Sequence, residues 1–156
     1  MKEMISLPAL ALCYLASPEA LFAQSVAPGR WIVKSTAVDV DIPGAPKLLL
    51  RMAKGRSRNE EKCLTPDQAR TGIAAVLAPD PKAQCHVDSL QLIGGRYVQM
   101  LRCPQKKGPP LKIVRDGTYQ VSGFAGKAQM QGVTPKGAMR IRLDQQATHL
   151  AGACRG

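Results

Sequence analysis

The chain has 156 residues, 45% of them apolar, which suffices for one core and leaves no room for a second domain. A formal charge of +11 draws such a chain towards anionic partners. The charge alone would suggest nucleic acid, but aromatic residues make up only 4%, a thin supply for base stacking, and this argues against nucleic acid as the specific partner.

Residues 1–23, "MKEMISLPALALCYLASPEALFA", read as an export signal: Lys2 gives a thin positive start, Ile5 to Ala16 an apolar run, and "SPEALFA" a cleavage region ending after Ala23. The run is shorter than the roughly 20 residues a bilayer demands, so no transmembrane span is expected in the mature chain. Bulky Leu12 before Cys13 argues against a lipid-attachment site. Cleavage removes Lys2, Glu3 and Glu19, which turns +11 into +12, and it leaves four cysteines: Cys63, Cys85, Cys103 and Cys154. An even count in an oxidising compartment signals a disulfide framework. Residues 24–156 are therefore expected to form a single disulfide-stapled β domain, periplasmic or secreted.

"RWIVKSTAVDVDI" is a β-branched strand ending at Pro43-Gly44. "KLLLRMAK" reads as a second strand with Leu48, Leu50 and Met52 on one face, and "KGRSRNEEK" as a polar loop. At "CLTPDQA" a helix is expected from Pro66 to about residue 78. Thr65 and Gln68 form its capping box, Pro66 fits the first helical position, and Pro79 with Pro81 stops it. "QCHVDSLQLI" and "RYVQMLRC" flank Gly94-Gly95 as a hairpin. "LKIVRDGTYQVSGFAGKAQMQ" is expected to turn at Asp116-Gly117, with Phe124, Gly126, Ala128 and Met130 sharing a face. "GAMRIRLDQ" alternates, placing Met139, Ile141 and Leu143 inward. Six to eight strands and one short helix describe a mainly β fold, an antiparallel meander closed or half-closed into a small barrel.

Residues equidistant from a hairpin turn face each other, so Cys85 is expected to pair with Cys103, which leaves Cys63 for Cys154. The alternative is a Cys63 thiolate activated at a helix start, with His86 or His149 as its base. An exported free thiol beside three other cysteines would oxidise, which favours the staple.

No catalytic constellation stands out. C-x-x-C and H-x-x-x-H spacings are missing, as are a phosphate loop, a dinucleotide fingerprint and G-x-S-x-G, so no metal or cofactor is expected. The acidic residues are scattered, with no paired carboxylates. The candidate binding residues are the cations Lys54, Arg56 and Arg58, then Lys106 and Lys107, then Arg140 and Arg142. The reading that follows is a non-catalytic binding domain for an anionic envelope polymer, lipid or protein, or for an apolar ligand held by a curved sheet. Its rivals are a periplasmic hydrolase and a small protein inhibitor acting through "QKKGPPLK" at 105–112.

"PGRW" after the signal, "CLTPDQA" at 63–69, the Cys85 to Cys103 spacing around a glycine turn, "YQVSGFAG" at 119–126 and "GAC" at 152–154 together resemble the exported bacterial proteins of domain of unknown function 3617. The resemblance spans the mature chain. It implies a secreted or periplasmic β-rich domain and brings no known activity, cofactor or catalytic residue. Two departures concern the surface: Ile32 follows the tryptophan where the family often has an acidic residue, and Lys106 to Arg115 is unusually basic.

Overall fold

The computed structural model describes residues 24–154, so the expected export signal lies outside the described residues. Seven strands form one antiparallel sheet: β1 (Gly29–Asp41), β2 (Ser57–Leu64), β3 (His86–Ile93), β4 (Arg96–Cys103), β5 (Leu111–Gln120), β6 (Gly123–Thr134) and β7 (Gly137–His149). Their order is β2-β1-β7-β6-β5-β4-β3, and the edges β2 and β3 do not pair, so the sheet is a half-barrel. Register shifts at Val38 in β1 and Asp88 in β3 mark bulges, which bend a sheet and sharpen its twist.

The concave face is half filled. α2 (Pro66–Arg70) and α3 (Ile73–Leu77) lie in the trough, where Ala69, Ile73, Val76 and Leu77 pack with Trp31, Val33, Tyr97, Phe124 and Ala147. Trp31 is wholly buried, and its indole N–H donates to Ala27 O at 2.9 Å. The capping box is formed: Gln68 N donates to Thr65 Oγ1 at 3.2 Å and Thr65 N to Gln68 Oε1 at 2.9 Å. The single helix expected over 66–78 is two, because Gly72 adopts φ 71° between them. A left-handed glycine ends one helix and lets the next fold back onto the core.

Three other expectations are corrected. "KLLLRMAK" forms α1 (Lys47–Ala53), a helix in the β1–β2 connection. Its leucines, methionine, alanine and cations are strong helix formers, and no β-branched residue opposes them. The charged stretch taken for a loop contributes β2, which runs beside β1. A strand at the edge of a sheet is guarded by charges on it, so β2 lacks the apolar alternation that betrays an inner strand. Asp116-Gly117 lies within β5, and the turn falls at Val121 and Ser122. Gly117 pairs with Gly126, and the Tyr97 ring lies over this glycine pair. A Cβ on Gly126 would overlap Asp116 O and Tyr97 Oη. The glycine there makes room for an aromatic ring.

Two disulfides close the frame, Cys63–Cys154 with Cα atoms 5.7 Å apart and Cys85–Cys103 at 4.1 Å. Both pairs are the expected ones. Such bonds persist in an oxidising, non-cytoplasmic environment.

Candidate functional site: a cationic cleft on the concave face

Beyond the helices the inward positions of the strands stay uncovered and line a cleft of about 470 Å³. Strand alternation supplies an apolar floor: Val33 and Ala37 from β1, Leu143 from β7, Ala128 and Met130 from β6, Ile113 from β5 and Leu101 from β4. The Cys85–Cys103 disulfide forms part of one wall, and the inward residues of β2 form the other.

Arg115 stands in the middle of this floor, 7% exposed. Its partners are all neutral. Nε donates to Gln145 Oε1 at 2.7 Å, and Nη1 donates to Gln99 Oε1 and to Leu77 O, each at 2.9 Å. The guanidinium lies 5.5 Å from the centre of the Phe124 ring. Nη2 has no acceptor among the described residues. Burial pulls the Arg115 pKa below the ordinary arginine range, since desolvation disfavours a cation, and the Tyr97 and Glu60 charges oppose that shift only in part.

Lys62 is the second cation of the wall. It bonds Ala78 O and pairs with Glu60 at 3.3 Å. Burial lowers its pKa, and Glu60 opposes that shift in part. Both cations meet carbonyls at the C-terminal end of α3, where the helix dipole is negative, and this caps the helix. Capping accounts for Nη1 of Arg115 and Nζ of Lys62. It does not account for Nη2.

The seven cations singled out in the sequence divide by place. Arg56 and Arg58 line the cleft. Lys54 pairs with Asp39 at 3.0 Å, and Arg142 reaches the same carboxylate at 3.3 Å, which holds Asp39 below the usual carboxylate range. Arg140 is exposed on β7, and Lys106 with Lys107 sits in the exposed β4–β5 loop. Sequence reasoning missed Arg115 and Lys62. The signal was strand parity: Leu111, Ile113 and Arg115 alternate with Lys112, Val114 and Asp116, which puts Arg115 on the apolar face.

The thiol chemistry considered for Cys63 has no thiol, because the sulfur is bonded to Cys154. His86 is exposed at the start of β3, whereas His149, at the end of β7, packs edge-on against Trp31 and contacts Pro28 O. Antiparallel topology puts these positions at opposite ends of the sheet. Among the described residues no group of three or more His, Cys, Asp or Glu is placed to hold a metal, and no helix is long and apolar enough to cross a membrane.

Compared with known proteins, residues 26–154 match the family described as "Protein of unknown function (DUF3617)". No curated protein and no solved structure matches.

Proposed function

We propose that this chain, which belongs to the DUF3617 family of proteins of unknown function, is an exported binding domain whose cleft takes an acidic amphiphile. The aliphatic part would lie along Leu101, Ile113, Met130 and Leu143, with the anionic head at Arg115 and Lys62. One observation carries this reading: a buried guanidinium with neutral partners only, one nitrogen unengaged, in the lining of an apolar cleft. A buried cation is costly unless an anion joins it, and a ligand head group supplies that anion. The volume falls within the roughly 300–1,000 Å³ of small-molecule sites. Export rests on the pattern of residues 1–23 and on the two disulfides, which together favour a periplasmic or secreted protein.

Displacement of a fluorescent fatty-acid probe from the chain lacking residues 1–23 tests this, with dodecanoate set against dodecylamine. The acid should bind about tenfold or more tightly than the amine, a difference of the size a charged hydrogen bond gives. Arg115→Met should erase the difference. Met130→Trp, which fills the cleft and leaves Arg115 in place, should abolish binding of both. Equal affinity for acid and amine in the unsubstituted chain overturns the head-group assignment. Binding of neither overturns the cleft reading.

A further inference from the structure

The cleft does not account for α1. Leu48, Leu49 and Met52 are 67%, 57% and 49% exposed, and their spacing gathers them into one stripe, while Leu50 and Ala53 turn towards the body. No residue of this helix is buried. A surface helix ordinarily turns its apolar stripe to the core. This one turns three large apolar side chains to solvent, with Lys47 and Arg51 beside them and Lys54 and Arg56 immediately after.

Its position adds to the case. Antiparallel topology puts α1 at the same end of the half-barrel as the β4–β5 loop bearing Lys106 and Lys107 and the β6–β7 turn bearing Lys136. Gln105 Nε2 donates to Val133 O at 3.3 Å, tying that loop to the β6–β7 hairpin. Arg56 joins the tip to the cleft: it lines the cleft, and its Nε donates to Met52 O at 3.0 Å.

We propose that α1 is a membrane-docking tip, whose apolar stripe enters the interfacial layer of an anionic bilayer while the surrounding cations bind lipid head groups, which brings the Arg56 rim of the cleft to the lipid surface. Charge and size select this occupant. Three side chains fall far short of the roughly 1,200 Å² a stable protein interface needs. An apolar stripe ringed by cations is what an interfacial element presents to anionic lipid. The inference holds whatever the cleft contains.

Sedimentation of the chain lacking residues 1–23 with vesicles tests it, using phosphatidylcholine alone or mixed in equal parts with phosphatidylglycerol. The protein should sediment with the mixed vesicles, less so as salt rises. The triple variant Leu48→Ser, Leu49→Ser, Met52→Ser should lose about tenfold or more of that binding. A second readout does not depend on lost function: Leu49→Trp should shift its emission to the blue only with mixed vesicles, Trp31 being wholly buried already. Failure to sediment with mixed vesicles overturns the proposal, as does unchanged binding by the serine variant. An emission shift that follows protein concentration without lipid overturns it in favour of self-association.

Discussion

Tyr97 brings a hydroxyl to a place where the fold offers it nothing. The side chain is 1% exposed, and Oη has no hydrogen-bond partner among the described residues. Burial pushes the phenol pKa up to about 12. What the core uses is the ring, edge-on to Phe124 at 5.5 Å and laid over Gly117 and Gly126. Tyr97→Phe keeps that contact and removes an unpaired polar atom, so it should raise stability by about 1 kcal/mol in urea denaturation. A comparable loss would mean that the hydroxyl has a partner in solution. Lys62 gives the opposite kind of residue, a charge already held by Ala78 O and Glu60 that would act on an anionic ligand through its field. Desolvation lowers its pKa in the folded chain, so its charge is complete below that lowered value and is lost as pH rises through it. Affinity for an acidic amphiphile should follow the same course, constant at neutral pH and falling on the alkaline side. Lys62→Met should weaken binding at neutral pH and flatten that fall, and probe displacement across alkaline pH reads both effects.

At the scale of elements, glycine placement decides more than hydropathy does. Gly94 and Gly95 both adopt positive φ, 57° and 74°, and that requirement is what made the β3–β4 hairpin legible from a glycine pair. Gly117 followed an aspartate and resembled a turn by the same rule, yet its role is steric. Gly126→Ala should therefore cost about 1–3 kcal/mol, because the methyl group meets backbone and a packed ring together. A cost near zero in urea denaturation would contradict the glycine-and-ring arrangement. β7 was legible because Met139, Ile141 and Leu143 alternate with Arg140, Arg142 and Asp144, and the capping box at Thr65 marked the start of α2. α1 was not, because "KLLLRMAK" satisfies a period of two as readily as a helix, and only the pairing of β1 with β2 and β7 decides between them. β2 escaped notice for the related reason that a charged edge strand has no apolar face to announce it. Of the candidate site, the rim cations Arg56 and Arg58, the floor positions Ala128, Met130 and Leu143, and the Cys85–Cys103 wall were legible. Its inner cations, buried Arg115 and half-buried Lys62, look from composition like any others of a basic chain.

For the whole molecule, an open half-barrel has a weakness that a closed one lacks, since two edges and a half-filled trough must be held in shape. The two disulfides divide that task unequally. Cys63–Cys154 ties β2 to the segment after β7 across a separation of 91 residues, whereas Cys85–Cys103 clamps the open end of one hairpin across 18. In the chain-entropy model the long loop contributes about 4.6 kcal/mol and the short one about 3 kcal/mol, so global stability should fall further without the long link. Ligand binding should rank the other way. Cys85 and Cys103 both line the cleft, whereas Cys63 and Cys154 do not. Cys63→Ala with Cys154→Ala should therefore lower the denaturation midpoint most and leave probe affinity nearly intact while the chain remains folded. Cys85→Ala with Cys103→Ala should lower the midpoint less and the affinity more, because losing that staple frees a wall of the cleft at the edge strand β3. Parallel losses of stability and affinity in both variants would mean that the cleft is only another part of the core, and the contrast between the two therefore tests the reading of the cleft as a site.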